Sequence, residues 1–290
     1  MTSSRVDAEA AADAAGAVEA ADSLDAQWQV LRGLTQARVG LGRSGVSLPT
    51  AQLLAFEADH ALARDAVREA FDAEIFASRV TALGLTAVIV QTLVDSREQY
   101  LRRPNLGRRL TDVSRAQLVA IARAHEREAG SQWDVAFIVS DGLSATATTR
   151  HALPLLAAAV LQLETSGLAV GPVVIARFGR VGLLNDVGAA LGARSAMILL
   201  GERPGLSAPD SLSAYFEFRP RPELTDAERN CISNIRPDGL PPEQAAVAVT
   251  TLIREGARRR LSGTRLKIEY PDAAPALVGD GLGTGADQRG

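Results

Sequence analysis

The chain has 290 residues, is 47% apolar and carries a formal net charge of −3, which suits a globular protein with a sizeable core and argues against a general attraction to nucleic acid. A single cysteine, Cys231, and three scattered histidines, His60, His125 and His151, exclude an internal disulfide and a multi-cysteine zinc site. No apolar run reaches the roughly 18 uncharged residues of a membrane span, and the N-terminus lacks the basic and apolar segments of a secretion signal, so a cytoplasmic protein is expected.

Residues 1–22 are alanine-rich with little apolar surface to bury, and a mobile leader is expected there. A helix follows from about Ser23, with Leu24, Trp28 and Leu31 on one face. Beyond Gly40, Gly42 and Gly45, the pair Ser47 and Pro49 opens a second helical stretch. Leu53, Phe56, His60, Ala63, Val67, Phe71 and Ile75 trace one apolar stripe along it, which makes His60 a core histidine. Residues 23–83 therefore read as a small helical N-terminal region.

From about residue 84 the pattern changes. TAVIVQTLV, DVAFIVS, GPVVIARF and SAMILL are short, rich in β-branched groups and bounded by Gly, Asp or Ser, as strands buried on both faces are. Residues 145–163 and 181–192 between them read as helices. The alternation implies an α/β fold, mainly parallel and Rossmann-like, over residues 84–269. LSAYFEF adds a strand, NCISNIRPDGL reads as a loop-like run, and residues 241–261 form a helix with Arg258, Arg259 and Arg260 near its negative end. A Pro-, Gly- and Asp-rich tail, expected to be disordered, occupies residues 270–290.

Three patterns resemble sites and fail on context. Gly40, Gly42 and Gly45 spell the dinucleotide fingerprint, but no clear strand precedes them and Pro49 falls inside the helix the motif requires. Asp141, Ser144 and His151 suggest a hydrolase triad, but Ser144 lacks the G-x-S-x-G elbow, so turn and capping roles are expected. The run from Arg97 to Arg109 concentrates arginine around one aromatic, Tyr100. A solvated or structural role and a subunit interface both remain open for it, ahead of nucleic acid.

Ligands of open parallel sheets bind beyond the carboxyl ends of the strands. Here those ends run into SDGLSATA, ARFGRVGLLND and GERPGL, whose glycines admit close backbone approach. The residues give a binding face without naming the ligand.

The ordered series LTQARVGLGRSGVSLPT, YLRRPNLGRRL, SDGLSATA, VGLLNDVGAALGA, LLGERPGLSAPDSL and LTDAERNCISNIRPDGL resembles the small subunit of ethanolamine ammonia-lyase over about residues 34–265. The resemblance implies a subunit of an adenosylcobalamin-dependent lyase that turns ethanolamine into acetaldehyde and ammonia. It implies a hetero-oligomer in which the large subunit binds substrate while this chain completes the cobalamin site. Val181, Glu202 and Cys231 match the cofactor-contacting positions of that family; no catalytic residue and no metal ligand is expected in this chain. Relatives of this kind can be enclosed in a bacterial microcompartment, so docking to its shell, with residues 1–22 as the addressing segment, stays open. The rival readings are a stand-alone nucleotide-binding α/β enzyme and a structural microcompartment adaptor.

Overall fold

The computed structural model describes residues 24–268 apart from Gln36 and Ser207, so the expected leader and tail lie outside the described residues. The described residues form two compact units, 24–63 with 205 and 206, and 64–204 with 208–268.

The first unit holds α1 (Leu24–Leu34) and most of α2 (Thr50–Arg68). Between them Gly40, Gly42 and Gly45 all take positive φ, at 60°, 76° and 64°. Gly40 also lies against an aromatic face, where a Cβ would come within 2.4 Å of the Trp28 ring. A helix precedes these glycines where the dinucleotide motif needs a strand, so they serve turn geometry and a close approach.

The single stripe expected from Leu53 to Ile75 is in fact two helices. After α2 ends, α3 (Ala73–Ala82) restarts at Asp72, whose carboxylate accepts the Ile75 amide proton at 2.8 Å. Phe71 is buried in the connection, whereas Ile75, Leu53 and His60 are exposed, so His60 is no core histidine. Apolar periodicity carried across the break because it does not register a cap that resets the helix phase.

The second unit contains a six-stranded sheet. Its strands are β1 (Ala87–Gln91), β2 (Ala136–Ser140), β3 (Val173–Arg177), β4 (Ser195–Gly201), β5 (Leu212–Phe218) and β6 (Asn230–Ile235), in the order β1-β3-β2-β4-β5-β6. β1, β3, β2 and β4 pair in parallel, while β5 and β6 add antiparallel. The fold is thus α/β with a mixed sheet: the alternation of strands and helices foretold the parallel part, and the short connections after β4 reverse the chain direction. β1 lies at an edge rather than at the centre, where the dinucleotide-binding order has its first strand. NCISNI, expected as loop, is the outer strand β6. Only Ile232 and Ile235 of it are buried, which is why it lacks the apolar signature of an inner strand.

β2 and β4 are buried at every residue, and alternate side chains feed two separate cores. Phe137, Val139, Ile175, Met197 and Leu199 face α3, α6 (Leu153–Thr165) and α8 (Pro242–Arg259). Ala136, Ile138, Val174, Ala196 and Ile198 face α5 (Asp112–Ala129) and α7 (Leu183–Leu191). A shorter helix, α4 (Arg97–Arg102), follows β1. The chain enters α6 through a turn at Ala145–Ala147 and a π-turn at Thr148–Ala152.

Gly201 closes β4 against the loop that leaves β2. A Cβ there would stand 2.1 Å from the Ser144 carbonyl oxygen and 2.5 Å from that of Asp141, both backbone atoms that cannot swing away. Gly201→Ala is therefore expected to cost about 3 kcal/mol, read as a lower urea midpoint at unchanged m-value.

Candidate functional site

Segments that follow the carboxyl ends of β1, β2 and β3 are tied together by one buried carboxylate. Asp141, only 1% exposed, accepts the Phe178 amide proton at 2.7 Å, the Ser140 hydroxyl at 3.1 Å and the Arg97 guanidinium at 2.6 Å. Burial pushes its carboxyl up, and Arg97 is the main opposing influence. Arg97 also donates to the Gly142 carbonyl at 2.6 Å, and the Gly179 amide donates to Ser140 Oγ at 2.8 Å. Phe178 is held in the left-handed region at φ 60° by this arrangement, a conformation an isolated phenylalanine avoids.

The arginine-rich run from Arg97 to Arg109 is partly structural. Tyr100 is buried, and its hydroxyl donates to the Gly179 carbonyl at 3.1 Å. Arg180 donates to the Tyr100 carbonyl at 2.8 Å and lies 3.9 Å over the Tyr100 ring. Helix α4 is thereby clamped onto the loop that presents Val181.

In front of this clamp is a cavity of about 370 Å³ lined by Pro104, Arg108, Arg180, Val181, Tyr215, Arg229 and Cys231. Two of the three expected positions, Val181 and Cys231, thus line one concavity. Cys231 faces Tyr215 across the β5–β6 pair, and burial pushes the Tyr215 hydroxyl up to about 12, with the Cys231 thiol adding to the effect. Burial also raises the Cys231 thiol, although the residue as a whole is exposed, while hydrogen bonds from Tyr215 and Ser213 oppose the shift. The group is a protonated, unreactive thiol near neutrality.

Glu202 lies near Tyr215 and Cys231 but is not among the residues that line the cavity. Its two carboxylate oxygens accept the Ser211 and Ser213 hydroxyls, and its backbone amide donates to the Ser211 carbonyl at 2.9 Å. It is half-buried, and its charge reaches both Tyr215 and Cys231. Each oxygen retains acceptor capacity after one hydrogen bond, so the serines orient Glu202 without exhausting it.

A neighbouring cavity of about 390 Å³ shares Arg108 and Arg229 and adds Asn105, Arg109, Arg115, Asn185 and Asp186. Arg229 is fixed from behind. Its Nε donates to Glu217 at 2.9 Å and its Nη2 to Asn185 at 2.9 Å. Glu217 is fully buried, and desolvation pushes its carboxyl up to about 7 against the pull of Arg229. Arg108 belongs to the arginine-rich run already noted in the sequence, whereas Arg180, Tyr215 and Arg229 were not singled out there. Arg180 and Arg229 nonetheless fall inside quoted motifs, and Tyr215 lies on a readable strand.

The suggested triad does not assemble. Ser144 caps the turn at Ala147 and donates to the Pro209 carbonyl at 2.9 Å, Asp141 serves Arg97, and His151 Nε2 lies 3.3 Å from Asp210. Among the described residues no helix is long and apolar enough to cross a membrane.

Comparison with known proteins agrees with the motif series. The family model described as ethanolamine ammonia-lyase light chain matches residues 25–267. Ethanolamine ammonia-lyase small subunits are similar throughout. That of Azotobacter vinelandii is 47% identical over 258 residues, covering 89% of this chain and 93% of its own. The protein of Rhodopseudomonas palustris is 49% identical over 255 residues, covering 87% and 95%. For Pseudomonas putida the figures are 48% over 242 residues, 83% and 88%. With motif order, matched span and identity in accord, this chain belongs to the ethanolamine ammonia-lyase light chain family.

Proposed function

We propose that the chain is the small subunit of ethanolamine ammonia-lyase and that the wall holding Val181, Tyr215 and Cys231, together with nearby Glu202, forms one side of an adenosylcobalamin site. The large subunit supplies the other side and the substrate site. The observation that carries this reading is the convergence of Val181 and Cys231, about 50 residues apart in sequence, on one cavity of a chain of this family.

The lining suits the cofactor chemically. A corrin presents an apolar ring face fringed by amide side chains. Val181, Pro104 and the Tyr215 ring offer apolar contact, while Arg108 and Arg180 offer donors to amide carbonyls. At about 370 Å³ the cavity is too small to enclose a corrin, as expected of one wall of a shared cradle. When bound, adenosylcobalamin supplies radical chemistry through its cobalt–carbon bond. This chain's contribution is to bind and orient. Glu202, steadied by Ser211 and Ser213, accepts hydrogen bonds from a ribose hydroxyl or a corrin amide. The protonated Cys231 and Tyr215 give a surface that neither attacks nor repels the cofactor.

Glu202→Ala in the complex reconstituted with the large subunit is expected to raise the cobalamin concentration for half-maximal turnover about 10- to 100-fold, since a hydrogen bond to a charged group contributes roughly 1.5–3 kcal/mol. Subunit association should be unchanged by gel filtration. An unchanged cobalamin requirement removes Glu202 from the site. Turnover by this chain without the large subunit would refute the subunit reading altogether and favour a stand-alone enzyme.

A further inference from the structure

At the opposite edge of the sheet, where the parallel strands begin, is a second recess of about 700 Å³. Its walls are the segments before β2 and β4, the Phe218–Arg221 turn after β5, and the last turns of α7 and α8. Four arginines line it, Arg194, Arg219, Arg221 and Arg260, against one acid, Asp134. That acid is already committed: Asp134 Oδ1 accepts Arg194 at 2.9 Å and Oδ2 accepts the Ala169 amide at 2.9 Å. The guanidinium groups of Arg219, Arg221 and Arg260 make no ion pair or hydrogen bond with another described residue; Arg219 rests only on the Phe218 ring, 5.6 Å from its centroid.

Two of these arginines occupy costly backbone. Arg219 and Arg260 have φ of 53° and 57°, in the left-handed region where glycine is at ease and arginine is not. Of the four left-handed non-glycine residues among the described residues, these two both line this recess. Helix ends alone account for part of the charge, because α7 and α8 finish here and cations suit their carbonyl termini. They do not account for three exposed arginines, their guanidinium groups without an ion pair among the described residues, lining one concavity of small-molecule size.

We propose that this recess binds a small polyanion, a molecule carrying two or more phosphate groups, with Arg219, Arg221 and Arg260 as its ligands. Phosphate is favoured because several guanidinium forks can each engage its oxygens in pairs.

The probe is inorganic tripolyphosphate titrated into the full-length chain, alone and in complex with the large subunit, followed by calorimetry and thermal unfolding at fixed ionic strength. The expected result is saturable one-site binding in both preparations. Tm should rise by about 5–10 °C at a hundredfold excess over Kd. Arg219→Gly and Arg260→Gly relieve the left-handed backbone, so both variants should fold with Tm kept or raised, yet bind tripolyphosphate about tenfold more weakly or worse. Binding lost while stability holds is the signature of a ligand role, because helix-end neutralisation alone would lower Tm and leave no saturable site. No saturable binding to the unmodified chain, or equal affinity in both variants, overturns the proposal. Neither outcome bears on the cobalamin wall at the other edge, so the two readings fail independently.

Discussion

Asp141→Ala is expected to destabilise the chain by about 3–5 kcal/mol, because it removes one partner of a buried ion pair and strands the other. Three donors lose their acceptor at once: Arg97, the Phe178 amide and the Ser140 hydroxyl. For a domain of this size that loss lowers Tm by roughly 6–20 °C. Asp141→Asn, which keeps the shape and one acceptor oxygen, should lose less. The effect should also reach function. The Phe178–Arg180 loop that presents Val181 is anchored through Asp141, and Phe178 keeps its left-handed backbone only while its amide is held. In the reconstituted complex at a temperature where Asp141→Asn stays folded, the cobalamin requirement should therefore rise while turnover at saturation is kept. Unchanged thermal unfolding in Asp141→Ala would show that the clamp is dispensable.

Arg229→Met is expected to cost a similar amount, about 3–5 kcal/mol at pH 8, and to show a pH dependence set by Glu217. It leaves Glu217 buried without its guanidinium partner. The carboxyl of Glu217 is pushed up to about 7 in the folded chain from an ordinary 4.5. A folded value above the unfolded one means that folding favours the protonated form. The associated stability is complete below about pH 4.5 and is lost as pH rises through about 7. In the unmodified chain this swing is on the order of 3 kcal/mol, and Glu217→Gln, which cannot titrate, should flatten it. In Arg229→Met the carboxyl can escape its unpaired charge by taking a proton, so the deficit at pH 5.5 should be well below that at pH 8. Thermal unfolding of the three proteins at both pH values tests this, and a deficit independent of pH would rule out Glu217 as its source.

How much of this was legible in the sequence depended on what each residue type signals. The inner strands announce themselves because β2, β3 and β4 are buried on both faces over nearly their whole length and carry polar residues only at their ends. β6 does not, since an outer strand can carry Asn230, Cys231, Ser233 and Asn234 at little cost. Helix α5 passed unnoticed because, of its 18 residues, only Ser114 and Leu118 are buried. The break between α2 and α3 hinged on the cap at Asp72, which apolar spacing cannot reveal. The site divides along the same line. Val181 and Glu202 follow strands whose carboxyl ends could be foreseen, so their edge was readable. That Cys231 would join Val181 was expected from the family resemblance alone; strand-end reasoning did not give it, because it depends on β5 and β6 turning back antiparallel. The serines that grip Glu202, Ser211 and Ser213, come from the same return.

The π-turn at Thr148–Ala152 has a consequence for chains of different length. Such a turn is one surplus residue absorbed as a local bulge, with the helix beyond it left in phase. Excising one residue between Thr148 and Ala152 should restore ordinary spacing while Leu155, Leu156, Ala159 and Leu163 keep their buried side. The penalty would fall on the turn's own buried residues, Thr148, His151 and Ala152, and on the approach of His151 to Asp210. A deletion of one at this point thus spares the buried side of α6, whereas the same deletion a turn later would rotate the residues beyond it out of register.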